Sequence, residues 1–368
     1  MLQNFDALQK VIEINSYTKN KEGVDRVGNL FAEWFMELGF RLERHERGEI
    51  GDHLLFLSPK KVGKKLLLLG HLDTVFPPGS FEEFREDSKW IYGPGVCDMK
   101  GGIYVALQAL RKIFERYKNI YNIDILLVSD EETGSDDSKY LTAKIAKNYD
   151  YCLVYEAAGR DNEVVIARKG VGTFFIDIEG KAAHAGNHYS DGIDANLEAS
   201  YKLQELVKLT NLQHGTTVNV GKIEGGIGAN TISPHAKLTF ELRYTTTREK
   251  DRVLQAIKEI VEKAYVPGTH ATLSGGIQRD VMETTPKQQA FLNEIETLCN
   301  TKLKTESRGG VSDANIVASS GLITLDGFGP FGDGDHTIHE RALKSSFGER
   351  IELSTKIFDN IVNNRFTV

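Results

Sequence analysis

The sequence has few cysteines. Only three occur in 368 residues, at Cys97, Cys152 and Cys299. They are odd in number and widely scattered, so they do not form the framework of a small disulfide-rich protein, and none has zinc-finger spacing. This use of cysteine is typical of a protein from a reducing compartment.

Long apolar runs and a leader pattern are also missing. The longest unbroken leucine run, residues 66–69, is far shorter than the ~20 apolar residues that span a bilayer. The first six residues, MLQNFD, lack the basic and then apolar pattern of a signal peptide. We therefore expect no membrane association and a cytoplasmic location.

An excess of positive charge is absent as well. Lysine and arginine total 45 against 52 acidic residues, which gives a net charge of −7 and no electrostatic reason to bind nucleic acid. Hydrophobic residues make up 40 % and charged residues 26 %, as in an average globular protein. At ~150 residues per domain, the length predicts two domains or one domain with an insertion.

The first part of the chain alternates helical and strand patterns. Amphipathic stretches cover residues 5–14, 24–38 and 103–117, and short apolar runs cover residues 66–69, 123–128 and 151–155. Polar residues follow each apolar run: His71 and Asp73, then residues 130–132, then Glu156. Open α/β sheets bind ligands beyond the carboxyl ends of their strands, so one edge should collect these groups.

The pattern changes near Lys169. Strand, helix, strand, strand, helix and strand patterns follow at residues 171–179, 192–209, 216–223, 236–244, 250–264 and 272–277. This βαββαβ order predicts a ferredoxin-like domain of residues 170–283. Helical patterns at residues 286–299 and 350–364 and an apolar run at 322–325 then complete an α/β domain formed by residues 1–169 and 284–368.

Three motifs in the α/β part carry metal-binding side chains. They are residues 71–74 (HLDT), 95–102 (GVCDMKGG) and 130–135 (DEETGS). Imidazole and carboxylate groups suit Zn²⁺, and a carboxylate such as that of Asp98 can bridge two ions. An acid at a strand end often merely caps a helix, as Asp136 would, but three such motifs in order favour a metal site.

With these motifs, the sequence resembles the co-catalytic di-zinc metallopeptidases and amidohydrolases that include glutamate carboxypeptidase, aminoacylase, acetylornithine deacetylase and succinyl-diaminopimelate desuccinylase. The resemblance covers nearly the whole chain, and the motifs are most similar to those of glutamate carboxypeptidase. It implies an α/β catalytic domain of the di-zinc exopeptidase type, with a mixed sheet flanked by helices. The ferredoxin-like domain would be an inserted lid or dimerisation domain.

The resemblance implies two Zn²⁺ per chain, held by His71, Asp98, Glu132, Glu156 and His336. His71 and Glu156 would bind the first ion, Glu132 the second, and Asp98 would bridge both. The late histidine is assigned to His336 within the run 334–340, with His339 as the alternative. Such ligands also accept Co²⁺ or Mn²⁺.

Two acids beside these ligands would complete the catalytic apparatus. Asp73 would orient His71, because a carboxylate that accepts the far N–H of a ligand histidine fixes its tautomer. Glu131 looks like the general base, which takes a proton from the attacking water and delivers it to the leaving amine. A solvated loop acid is the alternative for Glu131.

Four further residues match substrate-binding positions of the family. The motif at residues 181–186 contains His184, which would stabilise the tetrahedral intermediate as a hydrogen-bond donor. Asn230 matches another position, and Arg243 would hold a substrate carboxylate as a planar bidentate donor. Gly310 lies in a glycine-rich loop that would line the substrate cleft.

We therefore expect an enzyme that hydrolyses an amide and releases a free amino acid, a metallo-carboxypeptidase. Glutamate rather than aspartate at Glu156 resembles the carboxypeptidase and deacylase branches more than the aminopeptidases. An N-acyl-amino-acid deacylase is the alternative, and a non-catalytic binding protein of the same fold is a remote one. The substrate would be a small peptide or N-acyl amino acid, and the resemblance also implies a homodimer through the inserted domain.

Overall fold

Helices and strands alternate along most of the chain. The computed structural model describes residues 4–368. Its α-helices are α1 (Asp6–Ile12), α2 (Lys21–Glu37), α3 (Lys100–Tyr117), α4 (Ser138–Ala146), α5 (Ala195–Lys208), α6 (Thr247–Glu262), α7 (Pro286–Cys299), α8 (Asp313–Ser319) and α9 (Lys344–Val362). Its strands are β1 (Arg41–His45), β2 (His53–Leu57), β3 (Leu66–His71), β4 (Arg85–Glu86), β5 (Trp90–Tyr92), β6 (Ile123–Val128), β7 (Tyr151–Val154), β8 (Val164–Arg168), β9 (Gly170–Glu179), β10 (Thr217–Gly225), β11 (His235–Tyr244), β12 (His270–Arg279), β13 (Thr305–Arg308), β14 (Ile323–Leu325), β15 (Gly332–Asp333) and β16 (Arg341–Leu343).

These elements belong to two units. The first unit takes in the chain up to Ala167 together with Thr284–Arg308 and Ser312–Val368. The second unit takes in Arg168–Glu283 and Gly309–Val311. Each has its own cluster of buried apolar side chains.

The first unit is built on a six-stranded mixed sheet. The strand order is β1-β2-β6-β3-β7-β14, in which β6, β3, β7 and β14 run parallel and β1 and β2 pair antiparallel. Every residue of β3, β6 and β7 is buried. This explains their nearly continuous apolar sequences, because helices cover both faces of such a sheet.

The start of α3 is anchored within the first unit by a buried lysine. Lys100, fully buried, donates from Nζ to the backbone oxygens of Val11 and Ile14, each at 2.9 Å. Burial lowers the pKa of Lys100 to about 7, although the charge of Glu340 opposes this shift. The anchor fixes the chain two residues after Asp98.

The second unit is an antiparallel sheet with two helices on one face. Its strand order is β10-β11-β9-β12, and the chain order β9, α5, β10, β11, α6, β12 is the predicted βαββαβ arrangement. Burial alternates along β11, and its buried residues pack with α5 and α6. This period of two is typical of a sheet with one covered and one open face.

A buried ion pair joins the two helices of the second unit. Lys202 and Glu198 lie 2.9 Å apart on α5 with fully buried side chains. Lys202 Nζ also donates to the backbone oxygens of Ile260 and Lys263 at the end of α6. Because both charges are neutralised and hydrogen-bonded, the pair links the two helices without an uncompensated charge.

The fold class predicted from the sequence is confirmed, and the element bounds differ by a few residues. The last helix begins at Lys344 rather than Arg350, because Phe347 is also buried in the core. Helix α2 begins at Lys21 rather than Val24, because the Asn20 side chain caps it by accepting from the Gly23 N–H. None of the helices in residues 4–368 has the length and apolar composition of a membrane span.

Candidate metal centre

Three parallel strands bring the first site residues to one sheet edge. Strand β3 ends at His71. Strand β6 ends shortly before the 3₁₀ turn Glu131–Thr133, and β7 ends shortly before Glu156. Because these strands are parallel neighbours, the residues that follow them emerge together, at the edge where open α/β sheets bind ligands.

Asp98 reaches this edge from the loop before α3. A Cβ atom at Gly102 would lie 1.8 Å from the backbone oxygen of Tyr155, and one at Gly101 would lie 1.9 Å from that of Val96. Only glycine lacks this atom, so Gly102 allows the first turn of α3 to lie against the chain just after β7, and Gly101 allows it to lie against the loop that precedes the helix. This close approach explains the glycine pair in the second motif.

Two histidines face the two carboxylate oxygens of Asp98. His71 Nε2 lies 3.0 Å from Oδ1, and His336 Nε2 lies 3.3 Å from Oδ2. His336 Nε2 also lies 3.1 Å from Glu132 Oε2, and His71 Nε2 lies 3.8 Å from Glu156 Oε1. Each oxygen of Asp98 therefore faces a histidine, and each histidine also lies near one glutamate, Glu156 for His71 and Glu132 for His336.

The cluster concentrates negative charge in a buried place. Burial and the charge of Asp98 raise the pKa of Glu132 to about 8, and the same two causes raise that of Glu156. Hydrogen bonds to Asp98 and Glu132 raise the pKa of His336 to about 11. Ligand atoms of His71, Asp98 and Glu132 all lie within 4.8 Å of one another. These donors fit a divalent cation such as Zn²⁺, which would keep the carboxylates ionised.

His71 is held in a tautomer that leaves Nε2 free to bind a metal. Its Nδ1 lies 3.0 Å from the backbone oxygen of Asp73 and 3.4 Å from the Asp73 carboxylate. Both partners only accept hydrogen bonds, so Nδ1 carries the proton and Nε2 keeps its lone pair. Asp73 therefore contacts His71 at the expected ring atom, with its backbone oxygen nearer than its carboxylate.

The Asp73 carboxylate also holds the turn that carries two of the site glutamates. It accepts from the backbone N–H groups of Glu131 at 3.3 Å and Glu132 at 3.2 Å, and from the Thr18 hydroxyl at 2.7 Å. Asp73 is fully buried. One carboxylate thus connects His71 with the 3₁₀ turn, a role that sequence reasoning missed.

Glu131 lies beside the cluster rather than in open solvent. Its residue is buried. After burial and the charge of Asp98, the charge of Glu131 also contributes to the raised pKa of both Glu132 and Glu156. This position suits a group that exchanges protons with a reactant at the metal centre.

Of the two histidines in the run 334–340, the structure brings His336 to the cluster. His339 is exposed and has no carboxylate within ion-pair distance in the described part of the chain. His336 has a φ of +60°, a conformation that few residues other than glycine adopt. The surrounding turn thus fixes an unusual backbone at a proposed ligand.

Two predicted substrate residues lie together in the second unit. The backbone N–H of Ala185 donates to the Asn230 backbone oxygen at 2.9 Å. The Nδ1 atom of His184 accepts from the N–H groups of Gly186 at 3.1 Å and Asn187 at 3.2 Å. An accepting Nδ1 leaves the proton on Nε2, so the His184 side chain is a hydrogen-bond donor at its tip.

The other two predicted substrate residues also lie in the second unit. The Arg243 guanidinium pairs with Glu241, from Nε at 2.7 Å and from Nη2 at 3.2 Å, and donates from Nη1 to the Gly309 backbone oxygen at 2.9 Å. The backbone oxygen of Gly310 accepts from Arg168 at 3.2 Å. The glycine-rich loop is therefore held by two arginines.

Glu340 is a supporting residue that sequence reasoning missed. It is buried, and its carboxylate accepts from the backbone N–H groups of Gly95 at 2.9 Å, Cys97 at 3.0 Å and Asp98 at 3.1 Å. It therefore ties the loop of Asp98 to the loop of His336. The sequence feature that indicates this residue is an acid four positions after His336, in the same run as the two candidate histidines.

Family models match both parts of the chain. The peptidase dimerisation domain of the M20 type matches residues 166–269. Peptidase family M28 matches residues 55–207. Together the two matches extend from the first unit into the second.

Known proteins resemble the chain over most of its length. Carboxypeptidase G2 from Pseudomonas sp. (strain RS-16) is 28 % identical over 346 residues, which cover 90 % of this chain and 82 % of that protein. Succinyl-diaminopimelate desuccinylase from Coxiella burnetii is 24 % identical, over 92 % of this chain and 94 % of that protein. The crystal structure of aminopeptidase PepT from Bacillus cereus superposes with a TM-score of 0.80 at 20 % identity, covering 98 % of this chain and 100 % of that one.

Fold, donor cluster and relatives together define a metal-dependent hydrolase. The chain resembles the M20 metallopeptidases and amidohydrolases in its sequence, in its matched dimerisation domain and in its fold. The family resemblance and the enzyme class predicted from the sequence are confirmed.

Replacing Glu340 with glutamine should weaken metal binding. An amide offers one oxygen to three N–H donors and turns its own NH₂ group towards them, so the Asp98 loop loses its support. We expect the affinity for Zn²⁺, measured by competition with a chromogenic chelator, to fall roughly 10- to 100-fold. The exposed Glu33→Gln variant serves as control and should bind as the parent protein does; equal affinities in all three proteins would contradict this role of Glu340.

Proposed function

We propose that the chain is a carboxypeptidase of the glutamate-carboxypeptidase type, which hydrolyses an amide and releases a free amino acid. The observation that carries the proposal is the position of Glu131 beside a donor cluster in which Asp98 separates His71 from His336. Similarity to carboxypeptidase G2 along 90 % of the chain supports this branch of the family.

Two Zn²⁺ ions per chain are proposed as the cofactors, with Co²⁺ or Mn²⁺ as acceptable substitutes. His71 and Glu156 would hold one ion, His336 and Glu132 the other, and Asp98 would bridge them. When bound, the ions would act as Lewis acids on the substrate carbonyl and on the attacking water.

Protons are moved by the chain itself. Glu131 would take a proton from the attacking water and pass it to the nitrogen of the leaving amino acid. The carbonyl oxygen gains negative charge as its carbon becomes tetrahedral. His184 would donate to that oxygen from Nε2, a role that its accepting Nδ1 supports.

The substrate is proposed to carry a carboxylate on its leaving group. Arg243 would bind this carboxylate, because a guanidinium offers paired donors in one plane. Asn230 and Gly310 would contact the substrate as well, which the contact between Asn230 and the His184 loop supports. Hydrolysis then releases the acyl part as a carboxylic acid and the leaving group as an amino acid with a free amino group and a free carboxylate.

An N-acyl-amino-acid deacylase is the second candidate, and the likeness to succinyl-diaminopimelate desuccinylase favours it. A cavity of about 500 Å³ in the first unit is lined by Phe81, Arg85, Tyr92 and Ile338, and Ile338 lies two residues after His336. It would accept either a peptide or a succinyl group, so it does not separate the two candidates. A non-catalytic protein is disfavoured, since all the ligand positions and Glu131 are filled.

A homodimer through the second unit is also proposed. Strand β10 is an edge strand of its sheet, and α5 packs against it. The apolar residues Leu197 and Tyr201 on α5 and Ile223 on β10 are each at least 41 % exposed. An open strand edge beside exposed apolar side chains is typical of a surface that pairs with a second copy.

A substrate panel tests the activity. We expect the zinc-loaded protein to release the C-terminal residue from dipeptides and folate-type conjugates that end in glutamate, as followed by amino-acid analysis. N-acetyl and N-succinyl amino acids serve as the comparison set. If only that set is hydrolysed, the protein is a deacylase rather than a carboxypeptidase. If nothing is hydrolysed although two ions are bound, both proposals are refuted.

Glu131→Gln should lower kcat strongly without removing metal. The amide cannot take a proton, so kcat should fall roughly 10²- to 10⁴-fold, while zinc content measured by atomic absorption stays equal to that of the parent. Asp136→Asn, five positions along and exposed, is the matched control and should keep full activity. Normal kcat in Glu131→Gln would rule out the general-base role.

The proposed dimer surface is open to a direct test. The parent chain of 41.0 kDa should sediment as a dimer in analytical ultracentrifugation. Replacing Leu197 and Tyr201 together with glutamate places charge on the apolar surface and should yield monomers. Tyr140→Glu, on an exposed tyrosine of the first unit, should leave the mass unchanged; a monomeric parent would refute the proposal.

A further inference from the structure

The Arg243 guanidinium is already engaged by partners of its own unit. It has five N–H groups, and Glu241 takes one on Nε and one on Nη2, while the Gly309 backbone oxygen takes one on Nη1. One N–H on Nη1 and one on Nη2 are left without a partner in residues 4–368. Two N–H groups are the number that a single carboxylate can accept bidentately.

Strand geometry places Glu241 and Arg243 on the open face of the sheet. They are two positions apart on β11, where the intervening Leu242 is buried under α5 and α6 with the other even-numbered residues. Glu241 is 41 % and Arg243 34 % exposed at the side chain. Both side chains therefore meet solvent and have room for a ligand.

Glu241 also has no competing cation. Across the described residues, Arg243 is its only ion-pair partner. Its neighbours in register on β9 and β10 are Thr173 and Asn219, which are uncharged. The carboxylate is therefore dedicated to the guanidinium of Arg243.

We infer that Glu241 is a positioning residue for substrate recognition, which holds the Arg243 guanidinium so that its two remaining N–H groups receive the carboxylate of the leaving amino acid. The inference rests on the proposed function, in which Arg243 binds that carboxylate. A long arginine side chain loses conformational freedom when it binds a ligand, and a guanidinium already fixed at three N–H groups loses less.

The pair of Glu241 and Arg243 also defines which class of substrate Arg243 selects. Glu241 and Arg243 together are neutral, so recognition depends on the match between two N–H groups and two carboxylate oxygens rather than on a net positive charge. The substrate class is therefore an amide whose leaving amino acid keeps a free α-carboxylate. The same amide with that group converted to a carboxamide would lose one of the two acceptors.

The test compares Glu241→Gln with the parent protein on the best substrate of the panel and on its α-carboxamide. For the acid we expect KM to rise roughly fivefold or more with kcat unchanged, because the guanidinium is no longer fixed. For the carboxamide we expect no difference between the two proteins. Glu241→Asp, which keeps the charge, should recover part of the lost affinity.

Two further variants separate the possible failures. Asp177→Asn removes another acid of the same open sheet face, which lies 3.4 Å from Lys237, and should leave KM unchanged. Arg243→Gln tests the proposed function and should raise KM for the acid. If Arg243→Gln raises KM and Glu241→Gln does not, the positioning role is refuted and the proposed function stands; if neither changes KM, the carboxylate-binding role of Arg243 is refuted. A lower KM in Glu241→Gln would show that Glu241 competes with the substrate and would overturn the inference.

Discussion

Repulsion between carboxylates crowded at one sheet edge is the constraint on which the rest of the first unit depends. Asp98, Glu131, Glu132 and Glu156 converge where three parallel strands end, and all are largely removed from water. Buried like charges are unfavourable unless a cation or hydrogen-bond donors compensate them. Burial first, and the charge of Asp98 second, raise the pKa values of Glu132 and Glu156, and a divalent cation would offset both effects.

The residues that support the cluster are themselves buried acids, and their carboxylates accept hydrogen bonds from backbone N–H groups. Asp73 holds the 3₁₀ turn by two N–H groups, and Glu340 holds the Asp98 loop by three. Backbone N–H groups are fixed donors without rotamer freedom, so they position the first unit's ligands rigidly. In the second unit, by contrast, Glu241 holds Arg243 through half-exposed side chains, which leaves the guanidinium open to a ligand from solvent.

Much of this organisation follows from local sequence. The α/β and βαββαβ patterns were predictable because buried strands leave continuous or alternating apolar runs, and His71, Glu132 and Glu156 follow such runs directly. The backbone groups that Glu340 and Asp73 hold could not be predicted in this way, because they lie more than fifty positions from these acids in the sequence. Glu241 and Arg243 lie on the same face of β11, and their two-residue spacing in the sequence was enough to predict this. The catalytic and binding roles of the site residues remain predictions.

The first unit is assembled from three separate stretches of chain, whereas the second is nearly continuous from Arg168 to Glu283. During synthesis, His71, Asp98, Glu132 and Glu156 leave the ribosome long before His336 and Glu340. The second unit can thus fold on emergence, while the central sheet still lacks β14 and helix α9. The nascent protein therefore passes through a stage with an incomplete donor set, in which the β7 edge of the main sheet is still open for pairing.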